Sequence, residues 1–272
     1  MKQLLKFVLA LGLFAFMLSC EKVIDVPLNE GDRRIIVEAV GRNFDGESYV
    51  LLSMSGAVYN QESGYDPVIG ASVSVTDGDG LVSIFNEDPL NPGTYLNADF
   101  ATLPNKTYDL SIAIDGEISL SAQSQTMNMP VLDSLNYIPL VGGGFAGGGT
   151  DTSYLVFYSF VDDPYQTNFY RIRPFVNGKG DDNFYLNNDR LSNGEQITAP
   201  NFGTDVEPGD TVLIELISMD EGAYDYLSTL SSALTSGAFS AAPANPVSNI
   251  EGDAIGYSGM YLIDTLSIIM PE

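Results

Sequence analysis

Between Ser48 and Ser124 the chain repeats one pattern, apolar residues at alternate positions broken at short intervals by turn-forming pairs. Ala71, Val73 and Val75 alternate with Ser72, Ser74 and Thr76, then Asp77-Gly78-Asp79-Gly80 leads into Leu81 to Phe85. Tyr108, Leu110, Ile112 and Ile114 alternate with Thr107, Asp109, Ser111 and Ala113; Asp115-Gly116 turns the chain, and Ile118, Leu120 and Ala122 return it. A period of two places every second side chain on one face, and Asp-Gly between two such runs is a strong hairpin signal. Asn91-Pro92-Gly93 and Pro104-Asn105 add further turns, and no helical period intervenes. Short, regularly spaced strands of this kind predict a β-sandwich, here over 33–128, with Arg33 and Arg34 opening its first strand at Ile35 to Val40.

Met127 to Pro130 reads as a linker, and a second unit over 131–272 follows. It is richer in aromatics: Tyr154 to Phe160 and Phe169 to Val176 flank Asp162-Asp163-Pro164, and Phe184-Tyr185-Leu186 forms a short strand. Thr211 to Ser218, Ile255 to Tyr261 and Leu266 to Met270 supply later strands. Tyr224, Leu227, Leu230 and Leu234 fall at helical spacing within 221–234, Asp220 is placed to cap the start, and Gly237 lies just past the end. The expected fold is therefore mainly β, with two β-sandwich domains (Ig-like or transthyretin-like) in tandem, the second carrying one short helix.

The first residues carry a different message. Lys2 and Lys6 precede and interrupt an apolar run that reaches Leu18, and Ser19-Cys20 ends it before the polar Glu21-Lys22. A basic start, an apolar centre and a small residue before the cut define a secretory signal peptide, expected here over 1–19. Cys20, the chain's single cysteine, stands at the cleavage point, where its thiol can take a lipid. One acyl chain holds a protein only marginally and two or more anchor it stably, so Cys20 is the expected lipidation site and 20–32 a tether to a membrane. An exported chain with no other cysteine builds its fold without internal disulfides.

Charge and residue types exclude whole classes of function. Without Lys2 and Lys6 the 11 basic residues become nine, against 36 acidic, and the formal charge moves from −25 to −27. Such a chain repels a phosphate backbone, so no nucleic-acid partner is expected. Histidine is absent, which removes Ser-His-Asp and Cys-His catalysis and histidine-held zinc, copper or haem. Paired carboxylates could hydrolyse glycosides, but no pair stands out among 36 acids. No catalytic residue, cofactor or metal site is expected. Asp77-Gly78-Asp79-Gly80 has the first half of a calcium loop, yet Leu81 stands where a ligand is needed and strands flank it, so a hairpin turn is the reading. Asp162-Asp163 and Asp181-Asp182 lie on successive loops and remain an alternative calcium pair. Gly142-Gly143-Gly144 and Gly147-Gly148-Gly149 lack the Lys-Ser/Thr ending of a phosphate loop and read as a surface loop.

The start Ser19-Cys20-Glu21-Lys22-Val23-Ile24-Asp25-Val26 resembles that of a family of Bacteroidota lipoproteins known as a domain of unknown function (number 4249). Further motifs similar to that family follow in order: Ile36-Val37-Glu38, Pro67-Val68-Ile69-Gly70-Ala71-Ser72-Val73, Leu103-Pro104-Asn105-Lys106-Thr107-Tyr108, Met129-Pro130-Val131-Leu132-Asp133-Ser134-Leu135, Ile217-Ser218-Met219-Asp220, and Asn245-Pro246-Val247-Ser248-Asn249-Ile250. The resemblance covers the mature chain. It implies an outer-membrane lipoprotein, on the periplasmic or extracellular face, working beside a TonB-dependent receptor; only Cys20 inherits a role from it. The resulting expectation is a non-enzymatic accessory binding component of nutrient uptake, with a surface adhesin or matrix protein and a carboxylate hydrolase as alternatives.

Overall fold

The computed structural model describes residues 33–56, 66–141, 152–181, 183–201, 206–235 and 244–272. Residues 33–272 form one compact unit. Cys20, the tether, the glycine-rich 142–149 segment, Asp182 and Gly237 lie outside the described residues.

The N-terminal half contains β1 (Ile35–Gly41), β2 (Tyr49–Met54), β3 (Ser72–Asp77), β4 (Val82–Glu87), β5 (Thr94–Leu96), β6 (Thr107–Ile114) and β7 (Ile118–Gln125). The alternation predicted for 107–114 holds residue by residue: Tyr108, Leu110, Ile112 and Ile114 are buried while Asp109, Ser111 and Ala113 face solvent. Both predicted hairpins form. At the first, the Asp77 carboxylate accepts hydrogen bonds from the backbone N–H groups of Asp79 and Leu81, at 3.0 and 2.9 Å. The four residues Asp77 to Gly80 are thus a hairpin turn that caps itself. Leu52, Val73, Leu110, Ile112 and Leu120 form the centre of the core, each contributing about 1.5–3 kcal/mol by leaving water. Tyr95 is fully buried among them. Its hydroxyl donates to the Val68 carbonyl and accepts from the Ala71 N–H, both at 2.9 Å, so burial leaves no polar group unpaired.

The C-terminal half contains β8 (Leu132–Val141), β9 (Thr152–Val161), β10 (Phe169–Val176), β11 (Lys179–Gly180), β12 (Tyr185–Asn188), β13 (Gln196–Pro200), β14 (Thr211–Met219), helix α1 (Glu221–Leu234), β15 (Ala254–Met260) and β16 (Leu262–Ile269). One sheet has the order β13, β9, β8; the other runs β11, β10, β14, β16, with β12 also on β10. Val156 and Phe160 from the first meet Tyr170, Ile172, Ile214 and Leu216 from the second, and the Phe160 and Tyr170 rings meet edge-on at 4.9 Å. The protein is thus mainly β and sandwich-like, with a single helix among the described residues, at the bounds its spacing predicted.

One strand departs from the expected division at 128–131. Strand β15, expected with the C-terminal unit, hydrogen-bonds to β1 in parallel, from Ile35↔Ala254 to Gly41↔Met260. It completes an eight-stranded sheet of order β15, β1, β2, β5, β4, β3, β6, β7. The two ends of that sheet also meet: Ser121 and Glu251 exchange backbone hydrogen bonds, and Ser124 Oγ bonds to the Ser258 carbonyl at 3.0 Å. The sheet therefore curls on itself and exposes little free edge. The physical reason for the exchange is β1, whose outer edge is otherwise unpaired between two packed faces. Gly256 allows the contact, because a Cβ there would lie 1.8 Å from the Val37 carbonyl oxygen and its φ is +136°.

Side chains lock the halves further. Asn43 imitates a strand residue: its amide donates to the Ile263 carbonyl at 3.1 Å and accepts from the Ile263 N–H at 2.8 Å. Asp220 caps α1 through Ala223 N–H at 2.8 Å while its other oxygen accepts the Gln125 N–H at 2.9 Å. A third core, with Val40, Phe169, Ile217, Tyr226, Leu227 and Ile263, fills the seam.

Candidate functional site

The seam is not completely filled. A cavity of about 380 Å³ opens between β1, β2 and β15 on one side and β10, β14 and α1 on the other, at the small end of the roughly 300–1,000 Å³ usual for ligand pockets. Its apolar wall comes from Ile36, Phe184, Leu227 and Leu230. Its polar wall comes from Glu38, Arg42, Arg171, Arg173 and Asp181, with tyrosines 49, 226, 257 and 261 between them.

Strand geometry explains how these groups converge. Glu38 sits between the buried Val37 and Ala39 on β1, so its side chain leaves the N-terminal core and faces the seam. Arg171 and Arg173 alternate on β10 with the buried Tyr170 and Ile172, so both turn away from the C-terminal core. Two strands from different halves thus present opposite charges to the same space.

The charges are not equally satisfied. Glu215, only 7% exposed, accepts from Arg42 at 2.6 Å and from Arg173 at 3.2 Å. Arg42 also pairs with Glu47 at 3.0 Å. Glu38 accepts the Tyr49 hydroxyl at 2.5 Å and has no ion pair among the described residues. The Arg171 side chain makes neither an ion pair nor a hydrogen bond among them; its guanidinium lies over the Phe184 ring, 4.9 Å from the centroid, and its Nε is buried without an acceptor. Burial lowers the Arg171 pKa, with Tyr261 opposing the fall.

The tyrosines respond to the same field. Burial raises the Tyr49 hydroxyl far above the ordinary phenol range, and Glu38 raises it further. Burial likewise lifts Tyr257, Glu38 adds to the rise, and Tyr261 and Arg171 oppose it. Tyr261 is 4% exposed and also raised by burial; its hydroxyl lies beside that of Tyr257 and reaches no partner in hydrogen-bonding geometry. All three stay protonated and neutral at physiological pH, and act as hydrogen-bonding groups rather than as bases. The Tyr226 and Tyr257 rings stack at 4.8 Å and 25°, bracing the wall.

The acidic loops weighed as a calcium site are differently engaged. Asp162 accepts from the Tyr170 hydroxyl and the Gly194 N–H, both at 2.8 Å. Asp163 accepts the Tyr165 N–H at 3.0 Å, and Asp181 the Tyr185 hydroxyl at 2.6 Å. Among the described residues no three acidic groups gather as a metal cluster. The cavity was not visible in the sequence. Its one local signal was the pair Arg171 and Arg173, two cations on alternate positions of a β strand in a strongly acidic chain.

Fold and site together define a mainly β protein with a mixed-charge cavity at the seam between two sandwich-like halves. The chain belongs to the family described as Domain of unknown function (DUF4249), whose sequence model matches residues 21–267. No curated protein matches the chain. Among solved structures it is similar to the chicken CNTN1 FN1–FN3 domains at 11% identity, over 89% of this chain and 68% of that one, with a TM-score of 0.26. No helix of the described residues is long and apolar enough to cross a membrane.

Proposed function

We propose that the chain is a lipid-anchored, non-enzymatic binding protein of a bacterial outer membrane, working as an accessory component of TonB-dependent nutrient uptake. The observation that supports it most is the seam cavity, which is lined by groups suited to holding a molecule and offers no histidine or cysteine to react with one. Cys20 supplies the anchor, and the family resemblance supplies the receptor as partner and Bacteroidota as the setting. A surface for such a partner is available on β4, where Val82 and Ile84 share a face and are 54% and 53% exposed, with Leu81 exposed just before the strand. Large exposed apolar rows mark contact sites on otherwise polar proteins.

The test is affinity purification of the tagged chain from detergent-solubilised outer membrane. A TonB-dependent receptor is the expected companion, and Val82→Asp with Ile84→Asp should reduce its recovery while the fold persists. Purification without any such receptor overturns the uptake role. Palmitate labelling lost in Cys20→Ala checks the anchor separately.

A further inference from the structure

We propose that the seam cavity binds a small zwitterion, a free amino acid or an unblocked short peptide, with its carboxylate on Arg171 and its ammonium group on Glu38. The inference rests on the binding reading above and names the class of ligand.

Three observations converge. First, Arg171 and Glu38 line one cavity from opposite halves, and neither is ion-paired among the described residues. The buried Nε of Arg171 has no acceptor, and an unmet donor of that kind costs stability; the Phe184 ring beside it supplies cation–π attraction but no hydrogen-bond acceptor. Groups left unsatisfied in a cavity are accounted for when a ligand completes them. Second, Tyr261 brings a buried hydroxyl to the same wall, with the Tyr257 hydroxyl beside it. A carboxylate lying on the planar fork of a guanidinium takes two parallel hydrogen bonds and keeps lone pairs for a neighbouring hydroxyl. Third, both signs of charge face the cavity. Arg42, Arg171 and Arg173 line it together with Glu38 and Asp181, while Glu215 and Glu47 hold Arg42 and Arg173 from behind. A simple anion would meet Glu38, and a simple cation would meet Arg171. A ligand carrying both charges meets an opposite partner at each end, and its body rests on Phe184, Leu227 and Leu230.

The experiment uses the full chain, purified in detergent. Free amino acids and unblocked dipeptides are screened at millimolar concentration by thermal shift, and binders are followed by titration calorimetry. Each binder is repeated as its N-acetyl and its C-amide form. At least one free zwitterion should raise the melting temperature. Blocking either end should weaken binding by about tenfold or more, as should Arg171→Met and Glu38→Gln, since each removes one partner of a desolvated charge pair. Without ligand, Arg171→Met should melt at the same temperature as the parent or higher, because it removes a charge that has no ion pair and a buried Nε that has no acceptor; a purely structural arginine would lower it. The proposal is overturned if no zwitterion shifts melting, if blocked forms bind as well as free ones, or if both variants bind as the parent does. Receptor recovery is read separately, so loss of the zwitterion site leaves the uptake role standing, and loss of the receptor leaves the site standing.

Discussion

Glu215 shows what a single side chain does at the seam. It is buried on β14, and its two oxygens take Arg42 from the N-terminal half and Arg173 from β10. Arg42 and Glu215 are 173 residues apart in the chain, so their contact stabilises only the assembled fold. Breaking a buried pair from one side leaves charges that neither water nor protein satisfies. Glu215→Gln is expected to cost about 3–5 kcal/mol, read as a lower midpoint in urea with little change in slope. Glu38 differs: its carboxylate lines the cavity, and the Tyr49 hydroxyl bond at 2.5 Å holds it in place. Tyr49→Phe should cost about 1.5–3 kcal/mol, the worth of a hydrogen bond to a charged group, in the same measurement. Neither contact was legible in the sequence, where Glu38, Arg171 and Glu215 are three ordinary charges on three strands. Alternation says which face a residue takes, but not which distant strand that face will meet.

Elements were more legible, for a physical reason. A hairpin is fixed by its turn and its alternation, both local, so 72–87 and 107–125 could be drawn from Asp77-Gly78 and Asp115-Gly116 alone. The helix was equally local. Asp220 was read as its cap, and it does accept the Ala223 N–H. What the sequence withheld is that the second oxygen of Asp220 takes Gln125 N–H from β7. Asp220→Ala leaves two N–H groups without acceptors and should cost about 1–2 kcal/mol. Burial raises the Asp220 pKa above 3.8, against the pull of the Ala223 and Gln125 hydrogen bonds. A raised carboxyl means that the folded state holds the proton more tightly than the unfolded chain. Its contribution is therefore fully present below pH 3.8 and diminishes as pH rises through the folded value. The penalty of Asp220→Ala should accordingly grow between pH 7 and pH 4, in parallel urea titrations of parent and variant. Asp77 runs the other way: its hydrogen bonds from Leu81 and Asp79 lower its pKa, so its contribution is present above 3.8 and fades as pH falls below that. The parallel pairing of β15 on β1 could not be foreseen, because no local signal announces a partner more than two hundred residues away.

At the scale of the whole molecule, that pairing decides how the chain folds. The tandem reading expects a self-sufficient N-terminal domain over 33–128, held by its own hairpins. The structure gives the outer edge of β1 to a strand that arrives only after the entire C-terminal half. Ile250, Ala254 and Met260, all from that late segment, sit in the N-terminal core beside Val37 and Leu120. A fragment ending at 128 would expose the apolar flank of β1, open the contact that β7 makes with Ser258, and leave Met260's place in the core empty. Edges and holes of that kind lead to aggregation or loose packing rather than to a native sandwich. Residues 33–128 expressed alone should therefore be insoluble or lack dispersed amide resonances, whereas 33–272 should unfold in one cooperative transition, with tyrosine fluorescence and far-UV dichroism changing together. Gly256→Ala tests the same joint inside the intact chain. The added Cβ collides with the Val37 carbonyl, a backbone atom that cannot turn aside, so β15 must leave β1 or the strand must bulge. Loss of hydrogen-exchange protection in both β1 and β15, with the distant β9–β13 ladder still protected, is the expected pattern. The seam cavity is walled by β1 and β15 together, so the variant should also lose whatever the cavity holds, tying the order of the fold directly to the site it builds.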